Sequence, residues 1–200
     1  MKRRDFLITT STGMLLAATQ SASAEATMPQ SPMAWTDENG LARFLKTDTD
    51  PMTNEFEKYA RCPYCGMMRK MFSQTRHLIV YEDDAVDGTC SLHCAAISLA
   101  LNMDRVPKTI YAGDAGAADE VKPLADSASM TYVIDPARPG TMTAVSKYAY
   151  ADKAQAEAAA GADAKMVDFD TALVDAYNGM AQDTIRIRKR RAERRARAGN

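Results

Sequence analysis

Short apolar runs rich in β-branched and aromatic residues alternate with longer runs of helical character in the central part of the chain. His77–Tyr81 has the composition of a strand, and the polar segment at residues 82–88 predicts a turn. Residues 90–101 predict a helix that Thr89 or Ser91 caps. This region therefore predicts a strand, a turn and a helix in succession.

A similar succession follows in the second half of the chain. Strands are predicted at residues 109–112, 130–134, 143–150 and 166–169, and an alanine-rich helix at residues 151–160 stops at Gly161. Asp170 is expected to cap a last helix that starts at Thr171 and runs toward the C-terminus. The order of elements predicts an α+β fold with two comparable halves.

The N-terminus has the pattern of an export signal. Arg3 and Arg4 precede an uncharged, mostly apolar stretch, and small residues at 22–24 form a cleavage site. The paired arginines resemble a twin-arginine signal, and an ordinary secretory leader is the alternative. Residues 1–24 are therefore expected to be removed, which predicts a periplasmic protein. Residues 25–61 are expected to be a linker segment with one short helix at 38–45.

The charge is unevenly distributed along the chain. Residues 25–185 contain 24 of the 26 acidic residues but only 14 of the 25 basic ones, so the body is acidic. Residues 181–200 form a basic tail without an aromatic residue that could stack on a base, and nucleic-acid binding is not expected. A solvated helix end is the plain interpretation of this tail, and contact with an anionic membrane surface or an acidic partner is the functional one.

All four cysteines of the chain lie within 33 residues. Cys62 and Cys65 form a CxxC knuckle that Gly66 closes, and Cys90 and Cys94 form a CxxxC pair. If residues 90–101 are helical, Cys90, His93 and Cys94 project from one face of the first turn. Such clustered soft donors indicate either a thiophilic metal or disulfides.

The choice of metal depends on the neighbouring methionines. Thiolates and thioethers together favour Cu(I), whereas four cysteines, or three with a histidine, suit structural zinc. Met67 is a candidate ligand, and Met71 is assigned to the core. The candidate metal ligands are Cys62, Cys65, Met67, Cys90, His93 and Cys94.

The segment CPYCGM, the strand HLIVYED and the later pattern from MTYVID to AYADKAQAEAAAGADAKMVDFDTAL resemble the NosL family, the copper-binding accessory proteins of nitrous oxide reductase. The resemblance implies a metal-binding domain over residues 62–180, built from two small ββαβ-like units at about 62–125 and 126–180. It also implies a periplasmic Cu(I) chaperone that delivers copper to a copper enzyme or to the assembly machinery of that enzyme. Cys65 and Met67 match the motif of the family, with Cys62 beside them. The four cysteines also resemble the TRASH-type metal-binding pattern.

Two alternatives to a copper chaperone remain at this point. The first is an exported binding module that structural zinc or disulfides hold together, because exported chains usually oxidise paired cysteines. The second is a thiol–disulfide oxidoreductase that uses Cys62 and Cys65, although a redox CxxC normally begins a long helix, and here Gly66 interrupts. The only other histidine, His77, is expected to be half-exposed and structural. The sequence thus predicts a protein that is not an enzyme.

Overall fold

The structure is a computed structural model that describes residue 38 and residues 45–198. The expected export signal at residues 1–24 lies outside the described residues. So does the short helix expected at 38–45, except for residues 38 and 45. None of the helices in the described part of the chain combines the length and the apolarity needed to cross a bilayer.

The first sheet has five antiparallel strands in the order β1-β3-β2-β4-β5. Its central strand β2 pairs on one side with β3 and on the other with β4, and all five residues of β2 and of β3 are buried. The strands are β1 (Lys46–Thr47), β2 (His77–Tyr81), β3 (Ala85–Thr89), β4 (Pro107–Gly113) and β5 (Leu124–Asp126).

The second sheet has three antiparallel strands in the order β7-β6-β8. They are β6 (Thr131–Asp135), β7 (Ser146–Tyr150) and β8 (Lys165–Val167). The helices of the described chain are α1 (Glu55–Lys58), α2 (Leu92–Leu101), α3 (Lys153–Ala159) and α4 (Phe169–Ala198), with short 3₁₀ turns at Arg69–Phe72 and Ser127–Ser129.

The two sheets have one topology in common. The elements β2, β3, α2 and β4 form a ββαβ unit whose first strand is central, and β6, β7, α3 and β8 form another with the same strand arrangement. A backbone hydrogen bond from Ala115 to the carbonyl of Ala149 joins them at 2.8 Å. The predicted α+β class with two ββαβ-like units and a C-terminal helix is confirmed.

Some element boundaries were wrong. The turn predicted at residues 82–88 is shorter, because Asp84 takes a left-handed conformation with φ of 60° and reverses the chain directly before β3. The sequence of β3, AVDGT, reads as polar, but its aspartate and glycine are buried against partners from other elements. The missed strands β1 and β5 have only two and three residues, too few to show a period.

The starts of two helices also differ from prediction. Helix α2 begins at Leu92 after the N-cap Ser91, whose hydroxyl accepts a hydrogen bond from the Cys94 amide, so Cys90 lies outside the helix. Helix α4 begins at Phe169, and the carboxylate of Asp168 accepts the Thr171 amide at 2.9 Å. Asp168 therefore caps α4 instead of Asp170.

His77 joins the two ββαβ units inside the core and is only 1% exposed, so its predicted half-exposed position was wrong. Its Nδ1 donates to the carbonyl of Thr75, and its Nε2 accepts the hydroxyl of Tyr132 from the second unit, each at 3.0 Å. The two rings also stack, with 6.2 Å between their centroids. The core thus contains a neutral histidine with both ring nitrogens satisfied.

Candidate metal centre

The knuckle that carries Cys62 and Cys65 is a tight backbone loop. The amide of Gly66 donates to the carbonyl of Cys62 at 2.8 Å, and the amide of Cys62 donates to the carbonyl of Met67 at 2.9 Å. Gly66 has φ of 78°, a conformation that glycine adopts without strain. This loop brings both sulfurs of the CxxC pair to one side, as the position of Gly66 predicted.

The second pair of cysteines stands where β3 meets α2. Cys90 follows the last residue of β3 directly, and Cys94 lies in the first turn of α2. The partial positive charge at the helix N-terminus favours negative charge on the cysteine cluster as a whole. The short link between strand and helix therefore presents two more sulfurs to the knuckle.

The four sulfurs converge on one centre. The Sγ atoms of Cys65 and Cys90 are 3.3 Å apart, those of Cys90 and Cys94 are 3.8 Å apart, and all four lie within 4.8 Å of one another. All four cysteines are free thiols, and Cys62, Cys90 and Cys94 are buried while Cys65 is partly exposed. The arrangement can hold a soft metal ion, and it opens to solvent on the side of Cys65.

The proximity of the thiols controls their protonation. Hydrogen bonds from Cys90 and Cys94 lower the pKa of the Cys62 thiol. The same hydrogen bonds to Cys62 raise the pKa of Cys90 and of Cys94, and burial raises them further. The cluster therefore loses its first proton readily and the next ones only when a positive charge compensates. A bound metal cation supplies that charge.

The two methionines singled out in the sequence occupy different environments. Met67 packs against the cysteine cluster together with Tyr64 and Phe72. Met71 is 74% exposed, so its predicted place in the core was wrong. Met71 lies on the outward side of the 3₁₀ turn whose last residue, Phe72, takes the inward position.

His93 is not among the donors that lie within 4.8 Å of one another. A helix from residue 90 would place His93 on one face with Cys90 and Cys94, but α2 begins only at Leu92. The Nδ1 atom of His93 is buried without a hydrogen-bond partner among the described residues, in a small cavity that Thr143 and Lys147 also line. A role of His93 as a ligand stays a prediction.

Buried charged residues that the sequence patterns do not reveal hold the knuckle in place. Arg69 is fully buried, forms an ion pair with Glu55, and donates to the carbonyls of Tyr59, His77 and Thr89 at 2.9 to 3.1 Å. Its backbone amide also donates to Ala60. Because these partners belong to α1, β2 and β3, Arg69 ties the segment after the knuckle to the first sheet. In the sequence, the only sign of this role is that Arg69 is a basic residue close to the CxxC knuckle.

A second support comes from a buried carboxylate. Asp87 of β3 accepts the hydroxyls of Tyr64 and Ser98, each at 2.5 Å, and burial raises the pKa of this carboxyl. Tyr64 lies between the two knuckle cysteines and Ser98 lies on α2. One side chain of β3 thus links both cysteine-bearing segments, which explains why an aspartate stands inside a buried strand.

Comparison with known proteins shows the family of the chain. The profile of the NosL family matches residues 52–172. The chain belongs to the NosL family. Among solved structures, the copper chaperone NosL from Shewanella denitrificans matches with 19% sequence identity and a TM-score of 0.43, covering 62% of this chain and 93% of the other. Comparison with curated proteins gave no match.

Membership of the NosL family confirms the family resemblance of the sequence. It identifies the chain as a metal-binding accessory protein and not an enzyme, as the sequence predicted. The matched region includes the knuckle, the CxxxC pair and both ββαβ units.

Proposed function

We propose that this NosL-family protein is a periplasmic Cu(I) chaperone. Cys62 and Cys65 bind the ion as thiolates, Met67 adds a thioether, and one group from Cys90, Cys94 or His93 completes a low coordination number. The observation that carries this proposal is the convergence of four free sulfurs within 4.8 Å, with Met67 packed against them. Thiolate and thioether donors together are the set that Cu(I) prefers.

The partial exposure of Cys65 supports transfer instead of permanent storage. Three of the cysteines are buried, so a recipient can reach the ion only from the side of Cys65. A ligand atom of the recipient binds copper as the bond between copper and one cysteine sulfur breaks. The remaining ligands of the chaperone are replaced in the same way. Copper remains Cu(I) throughout, and the released thiolates take up protons from water.

The family and the export signal support the proposed recipient and compartment. A copper enzyme is the expected acceptor, with nitrous oxide reductase maturation as the process, because the chain belongs to the NosL family. The paired arginines at the N-terminus support export by the twin-arginine route. The basic tail supports peripheral contact with an anionic membrane.

The full chain, expressed in a bacterium and recovered without oxygen from the periplasmic fraction, tests this proposal. We expect one equivalent of copper, free thiols when copper is removed, and loss of binding in the double variant Cys62→Ser, Cys65→Ser. Absence of copper binding by the reduced protein would overturn the proposal. Recovery only from the cytoplasm would overturn the compartment but not the metal.

A structural zinc site is the second candidate. Four thiolates at about 2.3 Å from Zn²⁺ stand about 3.8 Å apart, close to the 3.8 Å between Cys90 and Cys94. One equivalent of zinc that resists a chelator, together with unfolding when it is removed, would favour this function. Replacement of Met67 by leucine separates the two candidates, because it weakens a copper site with a thioether ligand and leaves a four-thiolate zinc site unchanged.

A further inference from the structure

Two methionines beside the metal centre are exposed to solvent. Met71 is 74% exposed and Met68 36%, although methionine usually packs in the interior. The amide of Met71 donates to the carbonyl of Met68 at 3.1 Å, so both lie on one short turn. Their sequence neighbours Met67 and Phe72 contact the cysteine cluster. The turn therefore has one side on the metal centre and one side in solvent.

The same segment differs in charge from the rest of the protein. Residues 59–81 contain no acidic residue, whereas residues 25–185 as a whole hold 24 acidic and 14 basic residues. The bases Arg69 and Arg76 are buried and paired with Glu55, but Arg61 and Lys70 are exposed. No ion pair among the described residues involves Lys70. The exposed charge of this segment is therefore positive within an acidic body.

A groove of about 410 Å³ extends this positive region along one side of the knuckle. Lys46 and Arg61 contribute basic side chains to it, Lys58 is paired there with Asp48, and Met68 lines the groove with Pro63. Glu57 is its one exposed acidic side chain, since Asp87 is buried. Arg61 also donates to the carbonyl of Gly66, the residue after the partly exposed Cys65, at 2.9 Å. A basic groove with one exposed thioether thus adjoins the knuckle.

We propose that this surface, the knuckle face formed by Arg61, Gly66, Met68, Lys70 and Met71, is where the copper acceptor docks. The partner that fits it is a protein with an acidic rim around thiolate, thioether or imidazole ligands. Lys70 attracts the acidic rim, and the thioether of Met71 binds the ion while it moves from the cysteines to the acceptor. The inference rests on the proposed copper function and adds a surface, a partner chemistry and a route.

The exchange involves no change in oxidation state. A copper–thioether bond to Met71 forms as a bond to one cysteine breaks, and the acceptor's ligand then replaces the thioether. Cu(I) keeps its charge, the released thiolate takes a proton from water, and the thioether leaves unchanged. Met71 is accordingly a transfer ligand and contributes little to the equilibrium affinity.

Transfer kinetics of the copper-loaded full chain test the role of Met71. The probes are two copper chelators, the anionic bathocuproine disulfonate and the neutral neocuproine, mixed with the protein in a stopped-flow spectrometer. We expect Met71→Leu to slow copper release to both chelators several-fold without a change in the dissociation constant for copper. The matched control is Met103→Leu, because Met103 is 84% exposed and follows α2 at a distance in sequence from the knuckle.

A charge reversal tests the attraction of an acidic partner. We expect Lys70→Glu to slow release to the anionic chelator at low salt, to leave release to neocuproine unchanged, and to lose its effect at high salt. Lys108→Glu on β4 changes the net charge equally and is expected to transfer at the wild-type rate.

Two results would overturn the docking surface. One is a wild-type release rate for Met71→Leu, and the other is an equal effect of Lys70→Glu and Lys108→Glu. Failure of the wild-type chain to bind copper would instead contradict the proposed function, so the two failures are distinguishable.

Discussion

At the scale of single residues, the most informative positions are two buried basic side chains that lie outside the cysteine motifs. His77 connects the two ββαβ units, and Arg69 connects the knuckle to the first sheet. Neither residue belongs to the cluster of candidate metal ligands. Both act by keeping polar groups satisfied in the interior, where an unpaired group costs about 1–3 kcal/mol.

We predict that His77 makes the protein less stable in mild acid. Burial lowers the pKa of this histidine to about 4, and the charges of Arg69 and Arg76 act in the same direction. Unfolded histidine titrates near pH 6.5, so between pH 6.5 and 4 the unfolded chain binds more protons than the folded one. Stability therefore falls as the pH decreases through this window, by about 3 kcal/mol in full.

Urea unfolding of the reduced, metal-free protein at pH 7 and pH 5 checks this prediction. The variant His77→Gln is expected to show a smaller difference between the two pH values than the wild type. Equal differences in the two proteins would show that other groups cause the acid sensitivity.

We predict that Arg69→Met lowers the free energy of unfolding by about 3 kcal/mol, since it removes three hydrogen bonds to buried carbonyls. Glu55 keeps Arg76 as its partner, so the variant does not leave an isolated carboxylate. Lys70→Met, at the exposed neighbouring position, is the control and is expected to change stability little. A wild-type unfolding midpoint for Arg69→Met would contradict the role assigned to Arg69.

At the scale of elements, close packing between β3 and the segment around Tyr59 decides where the knuckle sits. A Cβ atom at Gly88 would lie 2.7 Å from the Cβ of Tyr59 and 3.0 Å from the guanidinium carbon of Arg69. Glycine is therefore required inside this buried strand, although it is poorly suited to strands in general.

We predict that Gly88→Ala destabilises the protein by about 1–3 kcal/mol, because the added methyl group overpacks this contact. Gly179→Ala in α4 is the matched control, since its nearest neighbour is Thr143 at 3.8 Å. Alanine at this helical position is expected to stabilise by about 0.5–1 kcal/mol. Thermal unfolding of both variants tests the pair, and a shift of the same sign in both would refute the packing argument.

At the scale of the whole molecule, the acidic body and the basic end of α4 are physically separate. Ala172 and Ala176 are the buried residues of this helix. Every residue from Thr184 to Ala198 is exposed to solvent. The end of α4 therefore contributes charge without contributing to the core.

We predict that truncation of the full chain after Asp183 changes its thermal stability and copper affinity little, because residues 184–198 are exposed and the ion pair that is lost, between Arg186 and Asp183, lies on the surface of α4 itself. The full chain is expected to bind vesicles that contain anionic lipid, and to release them at high salt, whereas the truncated chain does not bind. Vesicles of neutral lipid serve as the control. Equal binding of the two chains would contradict a membrane role for the tail.

Much of the fold was predictable because local patterns agree with tertiary packing. HLIVY is rich in residues that favour strands and forms one here, and the alanine-rich run between Asp152 and Gly161 has its N-cap and its glycine stop in the sequence. The strand AVDGT was missed because Asp87 and Gly88 fit only with partners that come from elsewhere in the chain. Short strands such as β1 were missed because two residues show no period.

For the metal centre too, some features were predictable from the sequence and others were not. By themselves, the residue types and their spacing determined a CxxC knuckle closed by glycine, a second pair of cysteines, a soft donor set and a family, since covalent spacing limits what a short loop can do. Only the tertiary structure decided that Cys90 precedes the helix, that His93 stands apart from the sulfurs, and that Met71 faces solvent. Those outcomes depend on where α2 begins and on how β3 packs, and contacts between distant segments control both.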